Sequence, residues 1–289
     1  VPPGLVLGAL GVLGFSFSLP ATRLAVADLD PLLVAFGRAV VAGLLGAAVL
    51  AATRTPWPTP EQRRGLIVVA LGVVVGFPLF TSLALHRLPA AHGAVVVGVL
   101  PAATAVAATL RAGERPTRAF WLASGAGLVA VMAFALTQGG GGLGVPDLEL
   151  LAAIVLCALG YAEGGRLSRE LGGARTICWA LVLSLPATAA VAGAALALHG
   201  ADGGATAWLG FSYVSLISMF LAFFAWYAGL ARGGVAKIGQ VQLAQPVLGL
   251  TWAALILGEH VGPATVAAAL AVLACVVATQ RTRVVAARP

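Results

Sequence analysis

The chain has 289 residues, of which 60% are hydrophobic and 9% charged, whereas a soluble domain carries about 25% charged residues. A water-soluble globular fold is excluded, because so few charges would leave apolar patches beyond the roughly few hundred Å² that a soluble monomer exposes. The net charge of +7 calls for no nucleic-acid partner, since basic residues in short loops set the orientation of membrane proteins.

A helix needs about 20 apolar residues to cross the hydrocarbon core. Ten runs approach that length, at residues 4–26, 31–53, 65–85, 91–110, 119–137, 148–166, 176–199, 207–230, 236–257 and 263–279. The expected fold is therefore all-α, a polytopic membrane protein with ten transmembrane helices. The first run lacks the charged flank of a cleavable signal peptide. Fusing the fourth and fifth runs is disfavoured, because Arg111, Glu114, Arg115, Pro116 and Arg118 form a polar turn that lipid does not tolerate.

In chain order, the first run carries Ser16, Ser18 and Thr22, and the second opens on the stretch Pro31 to Arg38. A buried arginine must be paired or bonded to carbonyls. Arg38 can hold a substrate carboxylate, but the preferred reading is structural. The third run offers Phe77, Phe80 and Thr81 to a substrate. The fourth begins with His92, which is able to titrate near neutral pH, and contains Pro101; Glu114 follows its end. The sixth run contributes Tyr161. It also holds Glu163, one turn before Arg166, which reads as a helix-end ion pair.

The eighth run is the richest in polar and aromatic residues. Ser215, Ser218 and Met219 fall on one face at i, i+3 and i+4, with Trp226 beyond them. Such small hydroxyl residues also serve as interhelical packers. The ninth run places Lys237, Gln240, Gln242 and Gln245 just before Pro246. Polarity of that kind is costly against lipid and is expected to face a cavity, and Pro246 is expected to free a carbonyl near Gln242. Lys237 can instead snorkel to the interface. Glu114 and Glu259, which end their spans, are read as structural partners of loop arginines.

Basic residues orient the chain. With the N-terminus in the cytoplasm, Arg54, Arg63, Arg64, Arg111, Arg115, Arg118, Arg166, Arg169, Arg175 and Arg232 fall on the cytoplasmic side, while the other side has Arg23 and Arg87 at helix ends and collects Asp28, Asp30, Asp147, Glu149, Asp202 and Glu259. Both termini are expected in the cytoplasm. Sliding the chain against itself finds an offset of 145, at which Leu85 and Arg87 meet Leu230 and Arg232, Pro101 meets Pro246, and Gly113-Glu114 meets Gly258-Glu259. The glycine stretch 139–144 then separates two halves, 1–140 and 146–289. Five spans are an odd number, so the second half is inverted. Inverted repeats of this kind are a carrier design with a site near the bilayer midplane.

Ten spans with both ends inside, the duplicated five-span unit, the fourth- and ninth-span prolines followed by Gly-Glu, and the Pro31 to Arg38 stretch together resemble the EamA-type drug/metabolite transporter superfamily. Within it the sequence resembles the YddG-type exporters. Position 183, opposite Arg38, is Leu, so any role of that stretch is confined to one half. The resemblance implies inner-membrane export of neutral and aromatic amino acids by alternating access, with lipid and a small-molecule substrate as partners. Scarcity of buried carboxylates suggests facilitated movement. Efflux of small drugs or exchange of phosphorylated metabolites is the alternative within transport, although a phosphate ester calls for several converging cations.

An enzyme is not expected. Intramembrane hydrolysis needs a Ser-His or paired-Asp arrangement, and metal catalysis needs clustered His and carboxylates, whereas His86, His92, His199 and His260 lie separately near span ends. No cofactor or metal is anticipated. Cys157, Cys178 and Cys275 are odd in number and lie in apolar runs, as buried small hydrophobes do.

Overall fold

A computed structural model describes residues 3–112, 118–119, 121–122, 125–127, 129–130, 133, 144–233 and 235–281. Among the described residues, seven helices are long and apolar enough to cross a membrane. They are α1 (Pro3–Asp28), α2 (Pro31–Ala52), α3 (Pro60–Arg87), α4 (Ala90–Thr109), α5 (Val145–Leu171), α6 (Gly173–His199) and α7 (Ala205–Gly233). Two shorter apolar helices follow, α8 (Gln245–Leu257) and α9 (Pro263–Cys275). Of the ten expected runs, the fifth falls largely outside the described residues, as does Glu114. The ninth is shorter than the sequence pattern suggests, because its first part is tightened into a 3₁₀ segment, Gln240–Ala244.

The ends of the helices follow from local chemistry. Asp30 caps α2 by accepting from the amides of Leu32 and Leu33 at 2.9 and 3.1 Å, with Pro31 in the first turn. Thr59 and Gln62 form a reciprocal capping box ahead of α3. Asp147 accepts from the Gly144 amide at the start of α5, and Gly258, at φ +65°, closes α8 in the left-handed region.

Inside four of the helices the irregular stretch coincides with a proline, although α6 continues through Pro186 without a break. Proline has no N–H and its ring collides with the carbonyl four residues earlier. For Pro20 that carbonyl belongs to Ser16, and α1 is interrupted at Phe17. For Pro101 it belongs to Val97, where the first stretch of α4 ends before helix resumes at Leu100. For Pro246 it belongs to Gln242, inside the 3₁₀ segment. For Pro78 it belongs to Val74, inside a π-helical stretch of α3, Ala70–Gly76. A second π-helical stretch, Tyr213–Leu221, lies in α7, and the two end at positions 145 apart.

The helix pairings come in couples related by the same offset. The first helix packs on α7 as α5 packs on α3; α4 packs on α5 as α8 packs on α1; and α2 pairs with α6, its own counterpart. Small residues permit the closest approaches. A side chain at Gly229 of α7 would lie 2.7 Å from the Gly8 amide nitrogen of α1, and one at Gly72 of α3 would lie 2.5 Å from the Leu156 carbonyl beside Gly160 of α5. Leu10, Leu44, Ile67, Leu71, Val155 and Leu209 are exposed on the outer faces, where hydrocarbon takes the place of water.

Candidate functional site

The proline-broken stretches converge on one cavity of about 40 Å³, enough for a few ordered waters. Each interruption supplies part of its wall: Phe15, Ser16, Ser18 and Leu19 flank the break in α1; Val97, Gly98 and Leu100 flank the break in α4; Gln245, Pro246 and Gly249 open α8; and Val73 and Phe77 come from the irregular stretch of α3. Ser218, Met219 and Phe223 enter from α7, Cys157 and Tyr161 from α5, and Arg38 from α2. The wall therefore draws on both halves of the chain.

One side of this cavity is aromatic. Phe15 meets Phe223 edge-on with ring centroids 4.9 Å apart and lies 6.4 Å from Tyr161. Trp226 backs both, at 6.2 Å from Phe15 and 5.5 Å from Tyr161. Edge-on and tilted contacts of this kind add to apolar burial. Trp226 and Tyr227 are fully buried behind the lining, and the Tyr227 hydroxyl donates to the Gly160 carbonyl.

The polar groups are in different states of use. Ser18 donates to the Ser218 hydroxyl at 2.7 Å. Ser16 donates to the Leu13 carbonyl and accepts from the Trp252 indole N–H at 3.0 Å, so both of its functions are spent inside the fold. Arg38 is 2% exposed. Its Nη1 reaches the Thr22 hydroxyl at 3.5 Å, and its Nε has no partner among the described residues.

Of the substrate residues expected from sequence, Ser16, Phe77, Tyr161, Ser218, Met219 and Gln245 line the cavity, together with Arg38 and Pro246, which were read as structural. Phe80, Thr81, His92, Ser215, Trp226 and Gln242 do not. Thr81 and Ser215 turn back to the carbonyls of Phe77 and Phe211 at 2.6 and 2.7 Å. Ser215 parts from Ser218 and Met219 because the π-helical turn there adds a residue to each ring of the ladder, changing the face that a regular helix would present. His92 is buried with its Nε2 2.7 Å from an Asp147 carboxylate oxygen. Gln242 is buried beside Tyr161, although neither its side-chain nitrogen nor its oxygen meets hydrogen-bond geometry with a described residue.

Two structural readings are corrected. Glu259 pairs with no loop arginine among the described residues; its two carboxylate oxygens accept from the amides of Ala90 and Ala91, each at 2.8 Å, at the start of α4. Orphan amides and the helix dipole make that position favourable for an anion. The Gln242 carbonyl is not left free by Pro246, since the tightened turn directs the Gln245 amide onto it. Glu163 pairs with Arg166 as expected. Lys237 and Gln240 lie on helical backbone, and their side chains are outside the described residues. Pro101 does not line the cavity, but the break that it causes does.

Sequence reasoning missed Phe15 and Cys157 as lining residues, because in an apolar run they look like ordinary core. The position of Phe15, five residues before Pro20, is the one signal that could have marked it.

Comparison with known proteins gives a consistent picture. Residues 2–136 and 146–279 each match the EamA-like transporter family. The chain is 50% identical over 278 residues to the uncharacterized transporter YdeK of Bacillus subtilis (strain 168), an alignment covering 96% of this chain and 97% of that protein. A protein of known crystal structure shares the fold with a TM-score of 0.65 at 19% identity, covering 96% of this chain and 98% of that one.

Proposed function

From the premise that this chain belongs to the EamA-like transporter family, and is a multi-pass membrane transporter rather than an enzyme, we propose that it exports neutral and aromatic amino acids by alternating access. The cavity carries this reading. Its aromatic side, formed by Phe15, Tyr161 and Phe223, suits an apolar or aromatic side chain, while Arg38, Ser218 and Gln245 supply a few polar groups for the charged end. That combination is what a site for a small zwitterion requires.

The mechanism rests on ten spans in two inverted five-span halves, 1–140 and 146–289. Support comes from the two matched stretches, from π-helical stretches ending 145 residues apart, and from helix pairings that exchange at the same offset. In such a carrier one half rocks against the other around a fixed site. Helix breaks at Phe17, at 98–99 and at 240–244 give the walls places to bend without disrupting a continuous hydrogen-bond ladder. The basic loops favour an inner-membrane protein with both termini in the cytoplasm. Movement is facilitative, since Arg38 is the sole ionisable side chain among the described lining residues apart from Cys157 and Tyr161.

The test is uptake of labelled phenylalanine or threonine into liposomes that contain the purified protein and are preloaded with unlabelled amino acid, with and without a pH gradient. Uptake above empty liposomes that ignores the gradient is the expected result. Absence of uptake by folded, inserted protein would overturn the amino-acid reading in favour of small drugs or phosphorylated metabolites.

A further inference from the structure

We propose that Arg38 is the receptor for a carboxylate on the transported substrate, an assignment that rests on the transport reading above and names the chemical group the site requires. A guanidinium carries five N–H donors and stays charged under any physiological condition. Burying it without a partner is strongly unfavourable. Three other arginines of the chain have protein partners: Arg23 donates to the carbonyls of Leu85 and His86, Arg87 pairs with Glu149, and Arg166 pairs with Glu163 and Glu170.

Arg38 differs from these three. It is more deeply buried than any of these, lies on the cavity wall, and has one long contact to Thr22 with its Nε unpartnered among the described residues. No described carboxylate lies within ion-pair distance of it. Had Arg38 served to close a helix end, its donors would be taken by carbonyls, as those of Arg23 are. Its fork is instead left beside the cavity, and a planar guanidinium matches a carboxylate in geometry as well as charge.

The surroundings narrow the ligand further. No second arginine or lysine is found among the described lining residues, so the site suits a single negative charge, whereas a phosphate ester would draw several cations. Ser218 accepts from Ser18 and keeps its own proton to donate to the same ligand. A cationic amine without a carboxylate meets an uncompensated positive charge and is excluded. The discriminating feature of the substrate is therefore its acid group, and the aromatic side of the cavity reads what is attached to it.

The experiment measures thermal stabilisation of the purified full-length protein by L-phenylalanine, L-threonine, 3-phenylpropionate, L-phenylalaninamide and phenethylamine. At least one carboxylate is expected to stabilise the protein, with the amide and the amine weaker by about tenfold or more, as loss of a charge-assisted bond implies. Arg38→Gln is expected to lose that preference by a similar factor, and Arg38→Lys, which keeps the charge without the fork, to retain part of it. If Arg38→Gln does not fold, the acid and amide comparison on the unaltered protein still decides. Equal binding of acid and amide, unchanged acid affinity in a folded Arg38→Gln, or no stabilisation by any carboxylate overturns the assignment. Binding of 3-phenylpropionate without either amino acid supports Arg38 as a carboxylate receptor while rejecting the amino-acid reading.

Discussion

Ser18 and Ser218, 200 residues apart in the chain, are joined by a hydrogen bond of 2.7 Å across the cavity wall. One belongs to the helix that resumes after the break at Phe17, the other to the π-helical stretch of α7. The bond therefore ties the first half of the chain to the second where the substrate is proposed to sit.

The pair should behave as a unit. Ser18→Ala and Ser218→Ala are each expected to cost about 0.5–1.5 kcal/mol of stability, and the double variant less than the sum of the two. Thermal unfolding of the four proteins in detergent reads the coupling; strict additivity would mean that the bond is not made in solution. Ser218→Ala should also weaken substrate binding more than Ser18→Ala, because only Ser218 retains a proton to give.

Contact between α1 and α7 depends on glycine. Gly229→Val would press a side chain to within 2.7 Å of the Gly8 backbone nitrogen, and overpacking of this kind typically costs about 1–3 kcal/mol. A lower melting temperature and poorer recovery of monodisperse protein are expected. Gly193→Ala, at an exposed position with nothing within 4 Å, serves as the control and should be neutral or slightly stabilising.

Glu259 holds the start of α4 by accepting from the Ala90 and Ala91 amides. Glu259→Ala should destabilise the protein by about 1 kcal/mol, and Glu259→Gln by less, since an amide oxygen still accepts but the charge facing the helix dipole is gone. A melting series at fixed lipid and detergent checks the order. Equal stability of all three proteins would assign the cap no energetic role.

Pro246→Ala restores the N–H that the helix lacks and removes the ring that collides with the Gln242 carbonyl. The 3₁₀ segment Gln240–Ala244 should relax toward regular α-helix, which would move the cavity wall formed by Gln245 and Gly249. Melting temperature is expected to hold or rise, while liposome uptake falls about tenfold, the scale on which a small displacement at a site is felt. Unchanged uptake would show that the break is not part of the transport cycle.

Much of the architecture was legible in advance. Span limits such as 31–53 against the observed Pro31–Ala52 follow from a run of apolar residues between an Asp-Pro cap and a polar loop, a signal that is local and strong. Proline positions are equally local, and Pro246 points to a local loss of regularity in the ninth run, although the carbonyl it was expected to free is taken by the Gln245 amide. The length of α8 was misjudged, because an apolar run containing three glutamines does not reveal that its first part winds as 3₁₀. Ser215 was misplaced for a related reason. A 3.6-residue pattern assigns it to the face of Ser218 and Met219, whereas the π-helical stretch separates them.

What the sequence determined by itself is the solvent, the helical class and the approximate limits of the spans, because hydropathy, charge asymmetry and helix capping act within a few residues. Only the tertiary structure decided which polar groups are available. Ser16 is consumed by Leu13 and Trp252 and His92 is held by Asp147, whereas Arg38 lies at the cavity with its Nε unpartnered among the described residues. The partners in question lie up to 236 residues away, and a buried polar group becomes a wall or a ligand site according to whether the folded protein has already satisfied it.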